Sequence, residues 1–318
     1  MSSTGPRRIT IAVLFTLLCL IWGSTWLAIK LGLEDLPTFW SAGLRFGLAW
    51  LLMTALAPWL RRREGGTQPP CFVWLAVGLL NMTMSFGIVY WSERVLPSGL
   101  VALLWSVFPL MVALLGHLFL PGERLRSVQW LGFVTAFGGV CILFSGDLRA
   151  LGPRAVLTGL VVLIAPFVSA ISTTIVKRYG TGASSVLMTR NAIGVAAVLL
   201  TACGIVRGEE FPTRWTRQAV LSVIYLALVG TVVTFGIYFW LMRTVPAYKM
   251  SLIAFLTPAL ALALGAFAAG EPVHVTTLVG AAVILTGVFF ASGVAGRLWT
   301  MRRASLALAR ERRSGGPV

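Results

Sequence analysis

The chain has 318 residues, 58% of them hydrophobic and 11% charged, with a formal net charge of +16. Soluble domains carry about 25% charged residues, so these proportions exclude an ordinary soluble fold and point to a bilayer as the solvent. So large a positive charge would suggest nucleic acid in a soluble protein, but here Lys and Arg gather at the ends of apolar blocks, which points to orientation in a membrane.

In chain order, ten apolar blocks of membrane-crossing length, about 20 residues each, predict ten transmembrane helices. They cover 9–29, 39–60, 71–92, 97–120, 128–146, 155–176, 182–206, 218–242, 250–270 and 273–296. The connections are too short to hold a soluble domain. Arg7 and Arg8 precede the first block as in a signal peptide, but the block is long for one and no small-residue cleavage site follows "LAIK", so a retained helix is expected. Cys19, Cys71, Cys141 and Cys203 are scattered, with no close pair to suggest metal or redox chemistry. They read as small packing residues.

Only the second and seventh blocks contain a charge, Arg45 and Arg190. With the N-terminus inside, the inner segments hold more than twice as many Lys and Arg as the outer ones. This bias predicts that both termini are cytoplasmic. The basic tail 297–318 then lies beside anionic lipid.

The chain repeats itself. Arg94, Pro97, Pro109 and Gly116 match Arg243, Pro246, Pro258 and Gly265 at an offset of 149. Gly122-Glu123, Gly132 and Gly139 match Gly270-Glu271, Gly280 and Gly287 at 148, Lys30 matches Lys177 at 147, and Arg45 matches Arg190 at 145. Two halves follow, 11–146 and 155–293. Five spans in each force the second half to insert upside down, so the fold expected is an all-α integral membrane protein of two inverted five-helix repeats. Inverted repeats are a transporter architecture, with the site near the midplane. Pro109 and Pro258 fall near mid-membrane and free the carbonyls of Trp105 and Ala254, either as packing kinks or as ligand contacts. The glycines seven apart fall on one helix face and permit close helix approach.

"LIWGSTWLAIKLGLEDLPTFWSAGLRF" (20–46), "WSERVLPSGLVALL" (91–104) and "LGFVTAFGGVCILFSG" (131–146) resemble the drug/metabolite transporter superfamily, and within it the EamA-type permeases with two EamA repeats. The resemblance covers about 11–293. It implies a ten-helix inner-membrane carrier, usually an exporter of amino acids or other small metabolites. The second half departs from the pattern: it has "VSAISTTIVK" (168–177) where Trp22-Gly23 would fall. Binding roles therefore do not transfer by symmetry between the halves.

Enzyme signatures are missing: His117 and His274 are too far apart for H-E-x-x-H, and no G-x-S-x-G occurs. No cofactor or metal site is read. The partners expected are a small-molecule substrate and the lipid bilayer; oligomeric state is not legible. No carboxylate lies deep in a span. Glu93, at the outer end of the third helix, reads as a solvated ion pair with Arg94, or as a proton or substrate-amine site. His117 reads as a hydrogen-bonded packing histidine that would otherwise titrate near neutrality.

Uncharged polar and aromatic residues are the better candidates for a small-molecule site. They are Trp22, Ser24, Thr25, Asn81, Thr83, Tyr90, Trp91 and Trp105 in the first half, then Ser169, Ser172, Thr173, Asn191, Thr234 and Tyr238 in the second. An aromatic lining without carboxylates fits zwitterions and neutral solutes better than strongly cationic drugs, in line with the amino-acid or metabolite export that the resemblance implies. A drug or toxic-compound exporter, or a non-transporting scaffold or sensor, are the alternatives. Trp59, Trp130 and Trp299 lie at span ends, as an interfacial belt requires. Arg45 and Arg190 lie roughly 10 Å and 9 Å from opposite surfaces, within snorkelling reach. They read as helix-end anchors, against a role in gating or in binding a substrate carboxylate.

Overall fold

Apolar blocks of this length fold as helices because, away from water, each backbone N–H and C=O must be paired within its own segment. The computed structural model describes residues 4–212, 215–244, 250 and 253–291. Eight of its helices are long and apolar enough to cross a membrane: α1 (Ile9–Asp35), α2 (Thr38–Glu64), α3 (Cys71–Ser92), α4 (Ser98–Phe119), α5 (Ser127–Leu148), α6 (Pro153–Tyr179), α7 (Ser185–Val206) and α8 (Arg217–Tyr238). Two shorter apolar helices follow, α9 (Ile253–Ala269) and α10 (Val275–Ala291). Each of the ten falls within or over one expected block. Pro246, Lys249, Trp299 and the tail 297–318 lie outside the described residues. Large side chains such as Val134, Val206 and Phe267 are strongly exposed, as a lipid-facing surface demands.

The first helix runs past its expected end at Ile29 to Asp35. Lys30 therefore sits in the helix rather than in a loop. Three of the described helices carry a stretch of wide turns; besides a short one at Phe144–Leu148 in α5, two long ones lie at Val77–Ser85 in α3 and Tyr225–Val233 in α8, equivalent at offset 148. In each long one, a threonine hydroxyl donates to the carbonyl five residues back: Thr83 to Gly78 (2.7 Å) and Thr231 to Leu226 (2.8 Å). Such widened turns are rare and gather at functional sites. The paired prolines act differently. The fourth helix breaks at Ser106–Val107, and Pro109 opens its second segment, Phe108–Phe119, where a missing N–H removes no intrahelical bond. Pro258 instead lies inside a continuous α9.

Helices 2, 4 and 5 pack on their sequence equivalents 7, 9 and 10. The fifth and tenth meet through glycines: a Cβ on Gly132 would lie 2.6 Å from the Gly287 carbonyl, and one on Gly139 2.8 Å from that of Gly280. Here the two backbones touch. Helix starts are capped across the halves. Glu209 accepts from the N–H groups of Phe39 (2.9 Å) and Trp40 (3.2 Å) at the start of α2. Its counterpart Glu64, 145 residues earlier, accepts from Ser185 and Val186 (both 3.1 Å) at the start of α7. A carboxylate at a helix start is favoured by the unpaired N–H groups and their aligned dipoles.

Candidate functional site

The wide turns of α3 and α8 face a group of polar and aromatic side chains drawn from both halves. The Ser24 hydroxyl lies 2.6 Å from that of Tyr225. Trp22 and Tyr238 have ring centroids 5.5 Å apart. Trp26 and Trp105 are 6.2 Å apart, and Trp105 stacks on Phe108 at 4.8 Å. The Trp105 indole N–H donates to Ser85 Oγ (3.3 Å), and Ser169 donates to Asn81 Oδ1 (2.8 Å). Contacts such as Ser24–Tyr225 and Asn81–Ser169 tie α1 to α8 and α3 to α6. Any relative motion of the halves must strain or break them.

Arg45 does not reach the surface. It is 3% exposed, with Nη1 donating to the Tyr90 hydroxyl (3.4 Å) and Nη2 to Thr231 Oγ1 (3.5 Å). Its Cζ lies 5.2 Å and 5.0 Å from the ring centroids of Phe46 and Phe86, within cation–π range. Nε has no hydrogen-bond partner among the described residues. Depth along a helix does not fix direction around it, and this arginine falls on the side of α2 that meets α3 and α8. The anchoring expectation fails for Arg45. Arg190 is partly buried, and its Nε and Nη2 donate to the side-chain Oδ1 of its neighbour Asn191, at 3.1 and 2.8 Å. That contact occupies a residue expected at the site.

Glu93 also departs from expectation. It is fully buried, and neither carboxylate oxygen accepts a hydrogen bond among the described residues. Its neighbour Arg94 turns away to Thr38 Oγ1 and to the carbonyls of Leu33 and Leu36 at the end of α1. No solvated Glu93–Arg94 pair exists. Lys30 comes close, but its ammonium donates to the backbone carbonyls of Glu93 and Leu96. Burial pushes the Glu93 carboxyl well above the usual carboxylate range; Lys30 pulls it down, Glu271 pushes it up, and Arg45 pulls it down.

Of the remaining candidates, Ser172 is buried on α6 and Trp91 is partly buried against the core. His117 accepts from the Leu125 N–H (3.2 Å) and packs edge-on against Trp130, as a packing histidine does. Sequence reading missed Trp26, Ser85, Phe86, Phe108, Tyr225 and Lys30. Trp26 was within reach, since a residue four positions after Trp22 shares its helix face. Tyr225 has no aromatic equivalent 148 residues earlier and carried no signal.

Comparison with known proteins bears on the family and the fold. The EamA-like transporter family matches twice, over residues 9–145 and 157–293. The chain is 29% identical over 256 residues to the "Uncharacterized inner membrane transporter YedA" of Escherichia coli (strain K12), covering 80% of this chain and 81% of that one. It is 25% identical over 270 residues to the "Uncharacterized transporter YoaV" of Bacillus subtilis (strain 168), covering 85% and 92%. It is 26% identical over 289 residues to the "Probable amino-acid metabolite efflux pump" of Escherichia coli (strain K12), covering 87% and 93%. A solved crystal structure shares the fold with a TM-score of 0.63 at 19% identity, over 91% of this chain and 98% of that chain. With two matches that together span most of its length, the chain belongs to the EamA-like transporter family.

Proposed function

We propose that this membrane transporter exports amino acids or similar small metabolites across the inner membrane, by alternating access between two inverted five-helix halves, 11–146 and 155–293. Both termini and the tail 297–318 lie on the cytoplasmic side. The observation that carries this reading is the meeting of both halves at the paired wide turns, where Ser24 bonds Tyr225 and Ser169 bonds Asn81. The substrate would be held by Trp22, Ser24, Asn81, Tyr90, Trp91, Trp105, Ser172, Asn191 and Tyr238, with Glu93 at the outer end. Indole and phenol rings supply apolar area, and the hydroxyl and amide groups fix orientation. The only chemistry is displacement: contacts between the halves are exchanged for contacts to the solute, which then leaves on the other face. The name of the Escherichia coli efflux relative supports the amino-acid class.

Counterflow of labelled amino acids into proteoliposomes, with and without a pH gradient, tests the reading. The expected result is exchange that falls when Trp105 or Tyr238 becomes alanine. Flux of bulky apolar drugs without amino-acid flux would move the assignment to the drug-exporter reading, which the Trp26–Trp105–Phe108 stack also suits. No flux of any solute would leave a scaffold or sensor.

A further inference from the structure

Repeat-related contacts that look alike in both halves mark a fixed frame; those that differ mark what moves. The helix-start caps made by Glu64 and Glu209 are alike on the two faces of the molecule. Those of Glu123 and Glu271 are not. Both carboxylates have the same local seat: a Cβ on Gly116 would lie 2.6 Å from Glu123 Oε2, and one on Gly265 2.3 Å from Glu271 Oε2. From that seat Glu271 crosses to the other half and accepts from the N–H groups of Ser98 (2.7 Å) and Gly99 (3.1 Å), capping α4. Lys30 pins the same place from the other side, through the carbonyls of Glu93 and Leu96. Leu96 and Ser98 are fully buried there, and Leu100 is 3% exposed. This face is shut.

On the opposite face the equivalent side chains bond each other instead. Lys177, the counterpart of Lys30, donates to both oxygens of Glu123 (3.2 and 3.1 Å), and the two side chains are 42% and 46% exposed. The same lysine and glutamate thus have two sets of partners: helix start and turn carbonyls when partly buried, and each other when exposed.

We propose that Lys30–Glu271 and Lys177–Glu123 are two copies of one latch, closed on the first face and open on the second, which exchange arrangements during transport. As the closed face opens, Glu271 leaves the N–H groups of Ser98 and Gly99 and takes the Lys30 ammonium, while Lys177 and Glu123 part. This rests on the alternating-access reading above. Each glutamate keeps a partner in both states, so neither charge is left buried alone, which would be strongly unfavourable. Each state holds one cap and one exposed ion pair, so the two states are close in energy. A carrier needs that balance, since a ligand shifts an equilibrium only by its differential affinity for the two states.

Labelling of Leu100→Cys, in a chain with the four native cysteines replaced, by a membrane-impermeant thiol reagent on the Glu271 face reads the population of the opened state. Glu271→Gln removes a charge-assisted cap from the closed state but only an exposed ion pair from the open one, so labelling should speed up about tenfold. Glu123→Gln should act with the opposite sign and slow labelling several-fold. Glu271→Asp, which keeps the charge but withdraws the carboxylate, should speed labelling less, and it serves if the glutamine variant fails to assemble. Opposite signs establish the latch. Unchanged labelling in both variants, or a shift in the same direction, overturns it. Counterflow on the same preparations separates the two ideas: flux without opposite shifts rejects the latch alone, and opposite shifts without flux reject the transport reading.

Discussion

Arg45→Lys is the sharpest perturbation of the interior, because it keeps the charge and removes only the geometry. The guanidinium makes two long hydrogen bonds, to Tyr90 (3.4 Å) and Thr231 (3.5 Å), and lies over the rings of Phe46 and Phe86. Bonds of that length contribute about 0.5 kcal/mol each, and each ring face about 0.5–1 kcal/mol. A lysine ammonium is a point donor that reaches one hydroxyl and one ring at a time. The net loss is therefore about 1–1.5 kcal/mol, or roughly 5- to 13-fold in the population of the intact site. Thermal unfolding of the detergent-purified protein should shift by a few degrees, and counterflow should fall by a similar factor. Arg45→Met separates charge from packing: replacing a buried charge by an apolar side chain of similar volume is often neutral or stabilising, so the fold should survive while transport fails. Arg190→Lys is the control, since Arg190 bonds only its neighbour Asn191 among the described residues, and it should keep transport near normal. If Arg45→Lys leaves both the unfolding midpoint and transport unchanged, the fork geometry of the guanidinium has no function and a buried charge of either shape suffices.

Gly287→Leu should prevent a monodisperse peak in size-exclusion chromatography, because its Cβ would sit 2.3 Å from the Ala136 nitrogen and 2.5 Å from the Gly132 carbonyl. Gly138→Leu, with nothing within 4 Å of the new Cβ, should run like the parent protein. Glu93 gives a pH signature: its carboxyl is raised by burial, so its contribution to the shut state is full at acid pH and is lost as pH rises through that raised value. Leu100→Cys labelling, divided by the rate of a free thiol at the same pH, should accelerate from acid to alkaline pH, and Glu93→Gln should flatten that ratio; a ratio equally steep in the variant would remove Glu93 from the account. Reporter fusions at both ends should place the termini in the cytoplasm, and periplasmic activity at either end would refute the charge-bias reading.

Much of the fold was legible because two strong constraints act on it. Bilayer thickness fixes block length, so the spans could be read from apolarity alone, and the offsets near 148 exposed the repeat. Direction around a helix was not legible. The second helix is apolar on nearly every side, so nothing in its sequence showed that Arg45 faces Tyr90 and Thr231 rather than the headgroups. The wide turns were hidden for a related reason: Val77–Ser85 and Tyr225–Val233 share no composition that separates them from ordinary helix, although Thr83 and Thr231 match in register. The burial of Glu93 depended on which way Arg94 turned, and that was decided by free carbonyls at the end of α1, a contact far away in sequence.

The two halves share a framework but not a lining, and this difference bears on what the site can select. At the offset of 147 that pairs Lys30 with Lys177, Trp22 corresponds to Ser169 and Gly23 to Ala170. Trp22 packs on Tyr238, whereas Ser169 donates to Asn81. Close approach is also one-sided: a Cβ on Gly23 would meet the Leu260 Cβ at 2.7 Å, which keeps α1 tight against α9 at this level. Arg45 bridges Tyr90 and Thr231, while Arg190 is turned onto Asn191. Aromatic contacts thus gather around Trp22, Trp26 and Trp105, hydroxyl and amide contacts around Asn81 and Ser169, and of the two repeat-related arginines Arg45 alone is fully buried. A solute with two like ends gains nothing from such a lining. A solute with a polar end and an apolar end, such as the amino acid proposed above, would meet the hydroxyl and amide groups with one end and the rings with the other.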